Sequence, residues 1–163
     1  MKIPYLLSFF VFHPLVGTIA ILLISNRFKH TYKWITLFFT ACQVLVSGVL
    51  YAMYDPSNPA PQFVEKADWI TLSLGKMGTV SIDYLLGIDG ISFPMVLLTS
   101  VVMLVGAISS WTIDKREKAY FSLYLLLTTS ITGCFIALDF FLFFLFFEFM
   151  LLPMYFLIGL WGG

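Results

Sequence analysis

The sequence predicts an all-α integral membrane protein with five transmembrane helices and its N-terminus outside. Two observations predict it. Of the 163 residues, 60% are hydrophobic and only 11% charged, a balance no globular chain of this size needs. The apolar residues also fall into five long runs, each near the ~20 residues that carry a helix across a hydrocarbon core of ~30 Å. Formal net charge is zero, so no basic face is available for nucleic acid. Two divisions follow, residues 1–82 with two leading helices and a long outward loop, and residues 83–163 with helices three to five.

The first span runs from about residue 4 to 25. It is too long for a signal-peptide core and lacks a small-x-small cleavage site, so it reads as a retained helix. His13 stands inside it, before Pro14. A histidine at that depth is a relay group, a neutral hydrogen-bonded ring beside a kink, or an interfacial residue if the span starts later. The polar stretch 26–33 carries Arg27, Lys29 and Lys33 and no acid.

The second span runs from about 34 to 54, with Trp34, Tyr51 and Tyr54 near its ends, where amphipathic rings favour the interface. A long connection then reaches to about residue 91. Its opening, DPSNPAPQ, must be extended or turning. Its later part alternates in places and has Gly at turns, which suits a short hairpin or an interfacial segment.

The third span runs from about 92 to 111, with Ser92 as N-cap and Pro94 in the first turn. The turn before it, GIDGIS, is no dinucleotide fingerprint. The loop TIDKREK brings Lys115, Arg116 and Lys118. The fourth span, about 119–138, is small and polar at its middle through Thr128, Thr129, Ser130, Thr132, Gly133 and Cys134, which suits close helix contact and interhelical hydrogen bonds. Cys42 and Cys134 lie in apolar runs with no CxxC or Cys/His cluster, so both read as small core residues.

Asp139 caps the fifth span, DFFLFFLFFEFMLLPMYFLIGLWGG. This helix is apolar all round except for Glu148 near mid-membrane. An ionisable group at the centre of a spanning helix costs roughly 2.5–3.5 kcal/mol on insertion scales. Low dielectric disfavours its charged form, so Glu148 reads as a site that gains and loses a proton, or else as a neutral hydrogen-bonded packing group. Pro153 cannot donate to the carbonyl of Phe149 and crowds it. A bend, a freed carbonyl and a carboxyl within one turn suit a small wet site; the alternative is a packing kink. Thr129, Ser130 and Thr132 lie at about the depth of Glu148 and are candidates to satisfy it.

Loops one and three hold three Lys/Arg each in few residues, so both read as cytoplasmic, and the long second connection as outward. Gly162 and Gly163 follow Trp161 with no Lys or Arg behind them, so the sequence reads as the leading part of a longer protein.

Three stretches carry a family resemblance: GIDGISFPMVLLTSVVMLVGAISSW through span three, REKAYFSLYLLL into span four, and LDFFLFFLFFEFMLLPMYFLIGLWGG in span five. Together they resemble the M-type antiporter-like membrane subunits of proton-pumping NADH-quinone oxidoreductase, respiratory complex I. That family is related to multisubunit cation/proton antiporters and membrane-bound hydrogenases. The resemblance covers the chain from about Asp83 onward and is weaker over the first two spans. It implies the leading part of a subunit of about fourteen helices with two inverted repeats, the first repeat beginning within residues 83–163. It implies that Glu148 belongs to an intramembrane proton path, near a lysine on a later helix. It also implies coupling of NADH-to-quinone electron transfer to proton translocation. NADH, FMN, iron–sulfur clusters and quinone would sit in partner subunits and none in this chain. Its partners would be sister antiporter-like subunits in a bacterial inner membrane. Nothing is carried onto His13. Alternatives are a subunit of a related antiporter or hydrogenase, or a non-pumping structural membrane fragment.

Overall fold

A computed structural model of the chain describes residues 5–25, 29–73 and 79–162. Its elements in order are α1 (Leu6–Leu23), α2 (Lys29–Met53), β1 (Gln62–Ser73), β2 (Thr79–Ile88), α3 (Ser92–Ser109) extended by a 3₁₀ turn (Ser110–Thr112), α4 (Glu117–Ile136) and α5 (Phe140–Trp161). Five helices are long and apolar enough to cross a membrane. The expected starts or turns at Pro4, Arg27 and Lys76, and the final Gly163, lie outside the described residues.

The fold is mostly helical rather than all-α. The second connection holds a long antiparallel hairpin, 12 residues in β1 and 10 in β2. Stretches such as FVEKADWITL and TVSIDYLL are rich in β-branched and aromatic residues, which suit a pleated surface. Asp68 and Asp83 face each other directly across the register. Like charges so placed repel. Lys66 offsets this, with Nζ 2.9 Å from Asp83 and 3.9 Å from Asp68. The hydrogen bond and charge of Asp83 hold the Lys66 ammonium above the usual lysine range. The register slips between Gln62 and Glu65, where Phe63 takes a left-handed φ of 56°.

The hairpin ties one end of the bundle together. Glu65 caps α1: its carboxylate accepts from the backbone N–H of Leu7 at 2.7 Å and of Ser8 at 3.0 Å, and from the Ser8 hydroxyl. Leu138 N–H donates to the Leu85 carbonyl at 2.9 Å, joining β2 to the α4–α5 turn. Tyr54 stacks on Phe93 at 4.4 Å, joining the end of α2 to the start of α3. The opposite end is tied by two long cations and an indole. Lys33 Nζ donates to the Trp111 carbonyl at 2.7 Å, Lys118 Nζ to the Ile24 carbonyl at 2.9 Å, and Trp161 Nε1 to the Lys115 carbonyl at 2.7 Å.

Two boundaries differ from the sequence expectation. The second helix begins at Lys29, so Lys33 lies inside it and is buried, its stem packed and its ammonium delivered to Trp111 and Asp114. Ser92 is not the cap of α3. Asp89 is: its carboxylate accepts from Ile91 N–H and Ser92 N–H, and Ser92 Oγ accepts from Asp89 N–H, a reciprocal capping box. Pro94 therefore stands five residues past the cap. Asp139 caps α5 as expected, through Phe141 N–H and Leu142 N–H.

The α4 helix is the hub. Over its apolar stretch 56% of residues are buried, against 17% for α5. Lipid tails are as apolar as leucine, so these contacts rest on close packing rather than on water exclusion. Small residues permit it. A Cβ at Gly17 would strike Phe39 and Leu125, and one at Gly133 would strike the Phe146 ring. Leu7, Phe10, Ile136 and Phe146 meet β2 in one cluster, and Ile21, Tyr32, Phe121 and Leu125 form a second near the other end.

Candidate functional site

Glu148 lies near the middle of α5 and is exposed. The buried residues of α5 are Leu142, Phe146 and Pro153. Glu148 is two residues from Phe146, about 200° round the helix, so it faces away from α4. It makes no hydrogen bond or ion pair among the described residues. A carboxyl at that depth without a partner stays neutral or is met by a cation, a donor or water.

The structure does not bring the expected hydroxyls to Glu148. Each bonds back into α4: Thr129 to the Leu125 carbonyl at 3.2 Å, Ser130 to the Leu126 carbonyl at 2.9 Å, Thr132 to the Thr128 carbonyl at 2.8 Å. The reason is local. A helical Ser or Thr hydroxyl reaches the carbonyl four residues back without any tertiary movement.

Two of these hydroxyl residues do share a site with α5. A cleft of about 430 Å³ is lined by Phe12 of α1, Thr129 and Ser130 of α4, Phe146 and Phe149 of α5, and Trp69 of the hairpin. Phe149, next to Glu148, thus borders a space that Thr129 and Ser130 also border. Its lining is mostly apolar, with Asp68, Tyr84 and the two hydroxyl residues the polar exceptions. Pro153 is buried, and α5 continues as helix on both sides of it.

Two polar groups inside the bundle complete the picture. His13 is buried between Phe9 and Phe39 rings, at 5.3 and 5.9 Å. Its Nδ1 lies 3.1 Å from the Phe10 carbonyl and its Nε2 3.2 Å from the Phe39 carbonyl of α2. It is thus a buried, hydrogen-bonded ring, and α1 runs on as one helix past Pro14. Gln43 is fully buried, and its Nε2 donates to Thr132 Oγ1 at 3.1 Å, linking α2 to α4. Gln43 was missed in the sequence, although a primary amide within an apolar run was a visible signal. Cys42 and Cys134 are free thiols. Among the described residues no three His, Cys, Asp or Glu side chains gather to hold a metal.

No protein-family model matches the chain. Individual relatives do. The chain is 39% identical over 162 residues, 97% of its length, to NADH-quinone oxidoreductase subunit M of Rhodobacter capsulatus, of which it covers 30%. It is 37% identical over 169 residues, 100% of its length, to the subunit M of Rickettsia conorii, of which it covers 33%. It is 34% identical over 158 residues, 96% of its length, to the chloroplastic NAD(P)H-quinone oxidoreductase chain 4 of Chara vulgaris, of which it covers 31%. The chain therefore spans about a third of the length of these relatives. The resemblance drawn from spans three to five extends over the first two spans as well.

Proposed function

We propose that this chain is the leading part of an M-type antiporter-like subunit of NADH-quinone oxidoreductase, and that Glu148 exchanges protons within the membrane during turnover. The observation that carries the reading is a single carboxyl at mid-helix, on the face of α5 that α4 leaves open, with no partner among the described residues. Such a group is too costly to keep facing lipid as a charge. A covering neighbour carrying a cation would hold it as a carboxylate, and withdrawal of that cation would favour its protonated form. One pKa unit corresponds to about 1.4 kcal/mol, so a small rearrangement suffices to load and unload a proton.

In this reading the redox chemistry lies elsewhere. NADH, FMN, iron–sulfur clusters and quinone are held by partner subunits, and this chain contributes the proton step in a bacterial inner membrane. The covering neighbour of Glu148 is a later helix of the same subunit or a sister antiporter-like subunit. The end of the bundle holding Lys33, Lys115, Arg116 and Lys118 faces the cytoplasm, and the hairpin faces outward. Thr129, Ser130 and Phe149 border a cleft on the α4 side of α5, one residue along the helix from Glu148.

Two replacements in the whole complex separate a proton site from a packing group. Glu148→Gln keeps shape and hydrogen bonding but holds no exchangeable carboxyl proton. The proposal expects it to assemble and to lose NADH-driven proton uptake into membrane vesicles. If Glu148→Gln pumps normally while Glu148→Leu disturbs assembly, the residue is packing and the proposal fails.

A further inference from the structure

A second cavity, of about 730 Å³, opens at the end of the bundle where α1 stops and α4 starts. Its apolar side is made by Leu22 of α1, Leu123 of α4, and Phe156 and Leu160 of α5. Its rim is charged. Arg116 is exposed and held directly before α4 by a left-handed φ of 52°. Lys118 spends one donor on the Ile24 carbonyl and keeps two. Asp114 is paired with Lys33. Glu117 is nine-tenths buried, and its Oε2 has no hydrogen-bond partner among the described residues.

That oxygen requires an explanation, because a buried carboxylate oxygen without a donor forfeits the solvation it had in water. The donor must come from outside the described residues. Apolar walls and a charged rim at the end of membrane-length helices are the signature of a lipid site. The sign of the rim selects the lipid. Two cations suit a phosphate, while the free oxygen of Glu117 suits an N–H bearing cation a few atoms away. A choline headgroup carries no N–H. A glycerol headgroup brings the same phosphate but no cation to balance the Glu117 carboxylate.

We propose that this cavity seats one phospholipid with a primary-amine headgroup. Its phosphate lies against Arg116 and Lys118, its ammonium donates to Glu117, and an acyl chain runs along Leu123 and Phe156. The site is independent of the proton-transfer reading, since it uses no residue of the Glu148 region.

The test uses the whole protein in phosphatidylcholine vesicles doped with a photoreactive analogue of phosphatidylethanolamine, phosphatidylcholine or phosphatidylglycerol, each carrying the same diazirine acyl chain. Labelling of the peptides holding Leu123 and Phe156 is read by mass spectrometry. The ethanolamine probe should exceed the other two by about tenfold, the factor one hydrogen bond to a charged group supplies. Glu117→Gln should abolish that preference. Arg116→Asn, which keeps a residue tolerant of the left-handed backbone, should lower ethanolamine labelling. Equal labelling by all three probes would mean ordinary surrounding lipid, with water on Glu117, and would overturn the proposal. So would a preference for the glycerol probe, or an ethanolamine preference that survives Glu117→Gln. Unchanged labelling in Arg116→Asn would overturn the phosphate contact.

Discussion

His13 Nδ1 sits 3.1 Å from the carbonyl oxygen of Phe10, the acceptor that Pro14 leaves without its helical donor. The two residues are therefore one device. Proline removes an N–H from the α1 ladder, and in its Nδ1–H tautomer the neighbouring ring supplies another in its place. A neutral imidazole has a single N–H, and the Phe10 carbonyl has the stronger claim on it. The Phe39 carbonyl on the Nε2 side still has the Gln43 N–H one turn along α2.

This relationship predicts coupling between the two positions. His13→Leu leaves the Phe10 carbonyl without a donor inside the membrane, a loss of about 1–3 kcal/mol. In a Pro14→Ala background the restored N–H at position 14 takes that carbonyl, and the same replacement costs about 1 kcal/mol less. Unfolding in detergent of the four proteins of the cycle measures it. Equal costs in both backgrounds would show that His13 does not serve the carbonyl that Pro14 frees.

Glu65 fastens the hairpin to α1. Glu65→Ala removes the acceptor for two first-turn N–H groups and a charge placed well for the helix dipole, a loss of about 1–2 kcal/mol. Hydrogen exchange should rise at Leu7 and Ser8 and along β1, while α3 and its cap stay protected. Uniform change along the chain would contradict a local latch.

Gly133 sets the distance between α4 and α5. A methyl group there would meet the Phe146 ring, which is buried against it. Gly133→Ala should lower stability by about 1–3 kcal/mol through overpacking, and Phe146→Leu in the same chain should recover part of it. An additive pair would show that the two residues do not touch.

The capping box at Asp89 is pH-sensitive. The Ser92 backbone hydrogen bond holds the Asp89 carboxyl below the usual aspartate range of 3.8. A group depressed in the folded state stabilises above its unfolded value and ceases to as pH falls through the folded one. The first turn of α3 should therefore keep its protection factors above about pH 4 and lose them progressively below. Asp89→Asn, which caps nearly as well without titrating, should remove that acid transition.

The five helices were legible because apolar run length alone specifies a spanning helix, and the depth of Glu148 followed from its place in the fifth run. Its direction was not legible. Phe surrounds Glu148 on every face of α5, so no apolar stripe in the sequence marks which side meets α4; Gly133 on α4 decides that by admitting Phe146. Thr129, Ser130 and Thr132 share its depth, but a hydroxyl in a helix finds its own carbonyl first. The hairpin was under-read because its alternation is broken: the register slips between Gln62 and Glu65 and again between Asp68 and Ile70, so neither strand keeps a clean period of two. Lys33 was placed in a loop because its charge masks a stem that packs within α2.

The most direct measurement is the number of protons taken up per NADH oxidised by the assembled complex carrying Glu148→Gln. With its exchangeable carboxyl gone the path through Glu148 is closed, so the ratio should fall by that path's share of the protons moved. An unaltered ratio in a fully assembled complex would contradict a role for Glu148 in proton transfer.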